Sequence, residues 1–190
     1  MDKLEILGIV GSLRKDSYNH AALRAAQESM PDAAVLNLIE LHDIPLFNQD
    51  HEKALPDAVL EFKRRLRAAD AILFATPEYN YSVPGVLKNA IDWGSRPYGE
   101  NAWQGKPAAI MGASIGRLGT ARAQYHLRQI LVAFNMPVVS QPEVMIGEAA
   151  QLFDSNGRLT DEPTRQRIRK LLDALVQLAS IQPPGDKPAA

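Results

Sequence analysis

The sequence predicts an α/β domain of the doubly wound kind, a five-stranded parallel sheet with helices on both faces. Three observations predict it. Short apolar runs alternate five times with helix-forming stretches along the 190 residues, and right-handed crossovers then lay helices on both faces of a parallel sheet. The first run is almost continuously apolar, as a strand buried on both faces must be. Loops rich in short polar residues, aromatics or glycine follow Val10, Ala75 and Ala113. Such sheets take ligands beyond the carboxyl ends of their strands.

The elements follow in order. Leu4 to Val10 reads as the first strand and ends in Gly11-Ser12. Asn19 to Met30 is alanine-rich and helical, and Pro31 stops it. Ala33 to Ile39 is the second strand. Glu40 to Pro56 shows no strong period, and Pro45 and Asn48 suit a loop. Asp57 to Ala69 is a helix with Val59, Leu60, Phe62 and Leu66 near its apolar stripe. Lys63, Arg64, Arg65 and Arg67 read as its solvated outer face. Ala71 to Ala75 is the third strand, and Pro84 to Trp93 a helix with proline in its first turn. Pro107 to Ala113 is the fourth strand and Thr120 to Phe134 the next helix. Pro137 to Ser140 with Glu143 to Ile146 form a broken fifth strand. Thr164 to Ala179 closes the domain as an amphipathic helix. One domain, 1–180, is expected, with 181–190 a disordered tail. Five strands fit the flavodoxin-like order 2-1-3-4-5 better than a six-stranded dinucleotide fold.

Composition narrows the chemistry. There is no cysteine, so disulfides, thiolate catalysis and thiolate-bound metals are excluded within one chain. The four histidines show no metal-ligand spacing, and no metal is expected. A formal net charge of -1 gives no bulk attraction to nucleic acid or an anionic membrane. The chain opens Met1-Asp2-Lys3 and runs into a strand too short for a signal-peptide core, and no stretch approaches a membrane span. A cytoplasmic location is the expectation.

The three loops carry the functional reading. The first, Gly11-Ser12-Leu13-Arg14-Lys15-Asp16-Ser17-Tyr18-Asn19, leads a buried strand into a helix. Free amides and the dipole at a helix start favour a phosphate, and Ser12, Ser17, Asn19 and Arg14 add donors. The alternative is that Ser17 merely caps the helix and the rest is an ordinary turn. The second, Thr76-Pro77-Glu78-Tyr79-Asn80-Tyr81-Ser82-Val83-Pro84, is stiffened by prolines at both ends. It can offer backbone groups to the edge of a planar heterocycle, or simply connect a strand to a helix. Glu78 has no carboxylate partner nearby in sequence and takes no acid–base role. In the third, Ser114-Ile115-Gly116-Arg117-Leu118-Gly119-Thr120, two glycines allow close approach to a ligand.

With these loops on the page, the sequence resembles the NAD(P)H-dependent FMN reductases, the group that includes bacterial quinone, azo-dye and chromate reductases. The matching residues are Gly11-Ser12-Leu13-Arg14 with Ser17, Tyr18 and Asn19, then Pro77-Glu78-Tyr79-Asn80 with Ser82, then Ser114, Gly116 and Gly119. Lys88, Asn89, Ile91, Asp92 and Trp93 match the helix after the second loop. The resemblance implies non-covalent FMN, with Ser12, Arg14, Ser17 and Asn19 at its phosphate. It implies Pro77, Glu78, Tyr79, Asn80 and Ser82 along the ring and ribityl chain, and Ser114 and Gly116 at the other edge. NAD(P)H would be the co-substrate and quinones the acceptors, with azo dyes, free flavin and chromate further candidates. Hydride would pass through the flavin in ping-pong fashion, with no catalytic side chain required.

An electron carrier docking on proteins is the alternative, but it would profit from a strongly charged docking face, and the sequence has no acidic run. The resemblance also implies a homodimer or homotetramer in which Arg122, Tyr125 and Glu143 form a contact between dimers. Apolar Val86, Leu87, Ala90, Ile91 and Trp93 exceed what one sheet face requires, in keeping with self-association. The blander reading pairs Arg122 with Glu143 inside one chain. The segment Pro45 to Asp50 is open between covering a neighbour's flavin and being an ordinary surface loop.

Overall fold

The computed structural model describes residues 3–181. β1 (Leu4–Val10), β2 (Ala34–Ile39), β3 (Ala71–Ala75), β4 (Ala108–Ala113) and β5 (Val144–Ile146) form one sheet in the order β2-β1-β3-β4-β5. All its pairings are parallel, so the expected topology is the one found. β5 is three residues long, and Val138 adds a lone parallel bridge to Ala108 upstream of it, which is the break read at Gln141-Pro142.

Period-two alternation divides the sheet between two cores. Ile6, Val10, Leu73, Ala75, Ala109 and Met111 face α1 (Tyr18–Glu28) and α6 (Glu162–Ile181). Leu7, Ile9, Ile72, Phe74, Ala108 and Ile110 face the other way, toward α2 (Asp57–Ala68), α3 (Gly85–Ser95) and α4 (Ala121–Val132). The apolar surplus on α3 is spent in this second core: Leu87, Ala90, Ile91 and Trp93 are all buried within the chain. It therefore gives no ground for self-association. The indole N–H of Trp93 donates to the Pro45 carbonyl at 2.8 Å and that of Trp103 to the Ile91 carbonyl at 2.9 Å, as buried indoles require.

Some boundaries differ from expectation. Two short pieces, a 3₁₀ turn at Gln49–Lys53 and α5 (Ala149–Leu152), fall where no helix is read. Each is too short to display a period. Ile181 ends α6 instead of opening the tail, and residues 182–190 lie outside the described residues. Leu60 is half exposed. Pro45 to Asp50 is clamped to α3: Phe47 N–H donates to Asn89 Oδ1 at 2.7 Å, and Asn89 Nδ2 donates to the Pro45 carbonyl at 2.9 Å.

The basic face of α2 needs correction, most of all at Lys63; Arg65 is partly buried too and donates to the Leu38 carbonyl at 2.9 Å. Lys63 is fully buried, and its ammonium donates to the carbonyl oxygens of Arg96 and, at 3.0 Å, Glu100. It shares a stripe with Val59, Phe62 and Leu66, because positions three, four and seven apart lie on one helix face. Its amine stitches the segment after α3 to α2. Arg64 and Arg67 do face outward, pairing with Glu61 and Glu100.

Burial, with Arg67 nearby, lowers the Lys63 pKa to about 8, whereas an unfolded lysine titrates near about 10.4. Between those values the unfolded chain holds a proton that the folded chain has released, so this lysine makes stability rise with pH. Denaturation of wild type and Lys63→Met at pH 7 and pH 10 checks it: the wild type should gain on the variant at the higher pH. An equal gap at both would refute the assignment.

Candidate functional site

β1, β3 and β4 end at one edge of the sheet and bring their three loops together. The approach is close because glycine stands at the contact points. A Cβ on Gly11 would meet Thr76 Oγ1 at 3.2 Å and Pro77 Cδ at 3.3 Å. A Cβ on Gly112 would run into Thr120 Oγ1 and the Thr76 carbonyl oxygen. Asn19 then ties the first loop to the third. Its side-chain amide donates to the Ala113 carbonyl at 2.9 Å, and its carbonyl accepts the Ala113 N–H at 2.8 Å, both buried.

The first loop opens α1. Ser17 is its N-cap, and its Oγ accepts the Asn19 N–H at 3.2 Å. The first intrahelical bond runs from Ala21 to the Ser17 carbonyl at 3.0 Å, so the helix start presents amides upstream of that bond. Ser12 is nearly buried and its Oγ accepts the Arg14 N–H at 3.3 Å. Arg14 itself is exposed at the rim, its guanidinium 5.7 Å from the ring centre of Tyr18. Capping and phosphate binding are thus compatible here: Ser17 caps one amide, and the dipole and Arg14 remain for an anion. Asn19 is different. Both ends of its amide are engaged by Ala113, so its work is to hold the edge together.

Outside this loop lies a concavity of about 220 Å³. His42 Nε2 stands 3.3 Å from the Leu13 carbonyl, and Glu40 lies within 3.4 Å of both His20 and His42. Sequence spacing gives no hint of this cluster, because α1 and the end of β2 meet only in the fold.

The second loop is a tight turn. Tyr79 and Ser82 exchange backbone hydrogen bonds at 3.0 Å each. Asn80 and Tyr81 between them both have positive φ, 49° and 69°, the mark of a primed hairpin turn. Pro77 is buried beneath it, while Tyr79, Asn80 and Tyr81 stand exposed. The Glu78 side chain is taken up by the start of α4. Its carboxylate accepts the N–H groups of Arg122 at 3.0 Å and Ala123 at 3.2 Å and pairs with the Arg122 guanidinium. It therefore caps α4, whose own N-cap, Thr120, makes no such side-chain bond. Glu78 has only its backbone to offer at the edge. Ser82 Oγ lies 3.0 Å from His126 Nδ1.

In the third loop, Ser114 Oγ accepts the Gly116 N–H at 3.1 Å, and the Gly116 carbonyl accepts from Gly119 and Glu148. Gly119 takes φ 62°. Ile115 and Leu118 are exposed at its tip. With Leu13, Tyr79 and Tyr81 they give the edge an apolar rim, of which the sequence pointed to Tyr79 but not to Leu13, Ile115 or Leu118; apolar residues inside otherwise polar loops were the available signal. Farther along α4, Tyr125 donates to Glu143 of the same chain at 3.3 Å, which pushes the tyrosine hydroxyl above its usual range. The within-chain pair expected of Arg122 and Glu143 is replaced by Arg122 with Glu78.

These features suit FMN. A helix start with a flanking arginine accepts a phosphate monoester, and an exposed turn over a buried proline gives a flat backbone surface for a ring system. Among the described residues no group of histidine, aspartate and glutamate side chains is arranged to hold a metal ion, and no helix is long and apolar enough to cross a membrane.

Comparison with known proteins agrees. An NAD(P)H-dependent FMN reductase of Pseudomonas aeruginosa is 54% identical over 175 residues, 92% of this chain and 94% of the relative. A quinone reductase of Pseudomonas putida is 49% identical over 166 residues, 87% of this chain and 89% of the relative. Among solved structures, the flavoenzyme NAD(P)H:(acceptor) oxidoreductase FerB of Paracoccus denitrificans superposes with a TM-score of 0.86 at 40% identity, covering 93% of this chain and 97% of its own. The family model for NADPH-dependent FMN reductase matches residues 4–151. The chain belongs to that family and is an FMN-dependent oxidoreductase with NAD(P)H as co-substrate.

Proposed function

We propose that the protein passes reducing equivalents from NAD(P)H to quinones at the edge formed by the three loops, in a ping-pong cycle. The observation that carries this reading is the convergence of an α1 start, an exposed primed turn and an apolar rim on one sheet edge. The quinone reductases among its relatives support the choice of acceptor. Bound FMN supplies the chemistry of accepting and passing on hydride. The chain's own residues bind, orient and exclude water. In this proposal the amides at the start of α1 and Arg14 hold the phosphate, with Ser12 and Ser17 shaping the loop beneath it. The backbone of Pro77 to Ser82 lines one side of the ring, and Ser114 and Gly116 close the other. Leu13, Tyr79, Tyr81, Ile115 and Leu118 shield the open face from water and favour flat apolar acceptors. Azo dyes, free flavin and chromate are secondary acceptors in the same proposal, and the cytoplasm, where NAD(P)H is made, its setting.

Initial rates with NADH or NADPH against a quinone series should give parallel double-reciprocal lines, since one face serves both substrates in turn. Intersecting lines would overturn the shared face. Arg14→Ala should weaken FMN binding by roughly 1.5–3 kcal/mol, the range for a hydrogen bond to a charged group. Titration of apoprotein with FMN reads it; an unchanged dissociation constant would remove Arg14 from the phosphate site.

Self-association as a homodimer or homotetramer belongs to the same proposal, with the exposed side of α4 around Tyr125 and His126 as the surface. Light scattering should return a multiple of the 20.9 kDa chain mass. A monomer at all concentrations would refute it, and Glu143→Ala of unchanged size and dissociation would remove Tyr125 and Glu143 from the contact.

A further inference from the structure

The ring-side turn is held in an unfavourable shape by groups that lie outside it. Asn80 and Tyr81 both occupy the left-handed region. For a bulky aromatic residue such as Tyr81 that region is a genuine outlier, and it persists only where the surroundings over-determine it. Within itself the turn has two backbone hydrogen bonds, both between Tyr79 and Ser82. Its ring-bearing tip is 67% exposed, so burial does not hold it.

What holds it comes from α4. The Arg122 guanidinium lies 3.8 Å from the centre of the Tyr81 ring, an orientation in which cation and ring quadrupole attract. The same guanidinium pairs with Glu78, whose side chain is 7% exposed and is further fixed by two α4 amides. One arginine thus grips both ends of the segment: Glu78, just before the turn, by charge, and Tyr81, at its tip, by stacking. His126 adds a hydrogen bond to Ser82 one helical turn along.

We propose that Arg122 is a positioning residue for FMN, holding the Glu78–Ser82 turn in the left-handed shape that faces the flavin through its pair with Glu78 and its stack on Tyr81. The inference rests on the flavin site of the preceding subsection. It assigns Arg122 a role inside one chain, distinct from any contact between subunits. A planar guanidinium is needed for both tasks at once. Lysine can keep the charge beside Glu78 but not the flat stack on the ring, and methionine keeps neither.

The test compares wild type, Arg122→Lys, Arg122→Met, Tyr81→Leu and the Met/Leu double variant. FMN titration of each apoprotein should show the dissociation constant raised roughly 3- to 30-fold in Arg122→Met, the span expected of a cation–π contact and its ion pair, with Arg122→Lys between. The double variant should be no worse than the poorer single variant, because both remove the same contact. Amide exchange at Tyr79 and Ser82 in the apoprotein should quicken in Arg122→Met, and the visible spectrum of bound flavin should shift. Light scattering on the same samples guards the interpretation. Unchanged exchange and affinity, additive single effects, or an affinity loss that follows a change in molar mass while exchange stays slow would each overturn the proposal. Failure of wild-type apoprotein to bind FMN would overturn the site itself.

Discussion

The amide of Asn19 bridges two parts of the sheet edge that no backbone ladder joins. β1 and β4 are not neighbours, since β3 lies between them. The loop after β1 and the loop after β4 are therefore free to drift apart unless something spans β3. Asn19 does so, giving a donor and an acceptor to the peptide at Ala113. Loss of either would strand a buried backbone group, which costs roughly 1–3 kcal/mol. Glycine at 11 and 112 lets the strands' ends come near enough for so short a side chain to reach. The depth and width of the edge, and hence everything proposed to bind there, depend on this one span.

The two helix starts at the edge divide the labour. α4 meets the carboxylate of Glu78, which satisfies two of its amides and its dipole. Among the described residues, α1 is capped by its own Ser17. Of the two positive poles, one is neutralised from within and the other remains for a phosphate. In the proposed site this asymmetry is the reason to assign the anionic end of the cofactor to α1 and its ring to the β3–β4 side.

The fold was legible because its signals are local. Runs such as Ala71 to Ala75 and stripes such as Ile168, Leu171, Leu172 and Leu175 announce themselves within a few residues. The parts that were not legible depend on distant partners. Glu78 meets α4 forty-four positions away and Asn19 meets Ala113 ninety-four away, so nothing near either residue reveals the use of its side chain. Lys63 is the intermediate case. Its spacing with Val59, Phe62 and Leu66 put it on the buried stripe, but its charge argued for solvent, and two carbonyl oxygens that only the fold supplies reversed that argument. The single-turn α5 and the 3₁₀ turn fell below the length at which a period exists.

The cap that Glu78 gives α4 also bears on how such a protein changes over time. The Tyr79–Ser82 turn and the helix that backs it are separated in the chain by the whole of α3 and β4, yet each completes the other. Replacement of the Pro77–Pro84 segment by one without a carboxylate at position 78 carries away the cap and leaves the Arg122 and Ala123 amides without it. A chimaera that carries this segment together with the start of α4 keeps both the turn and its helix.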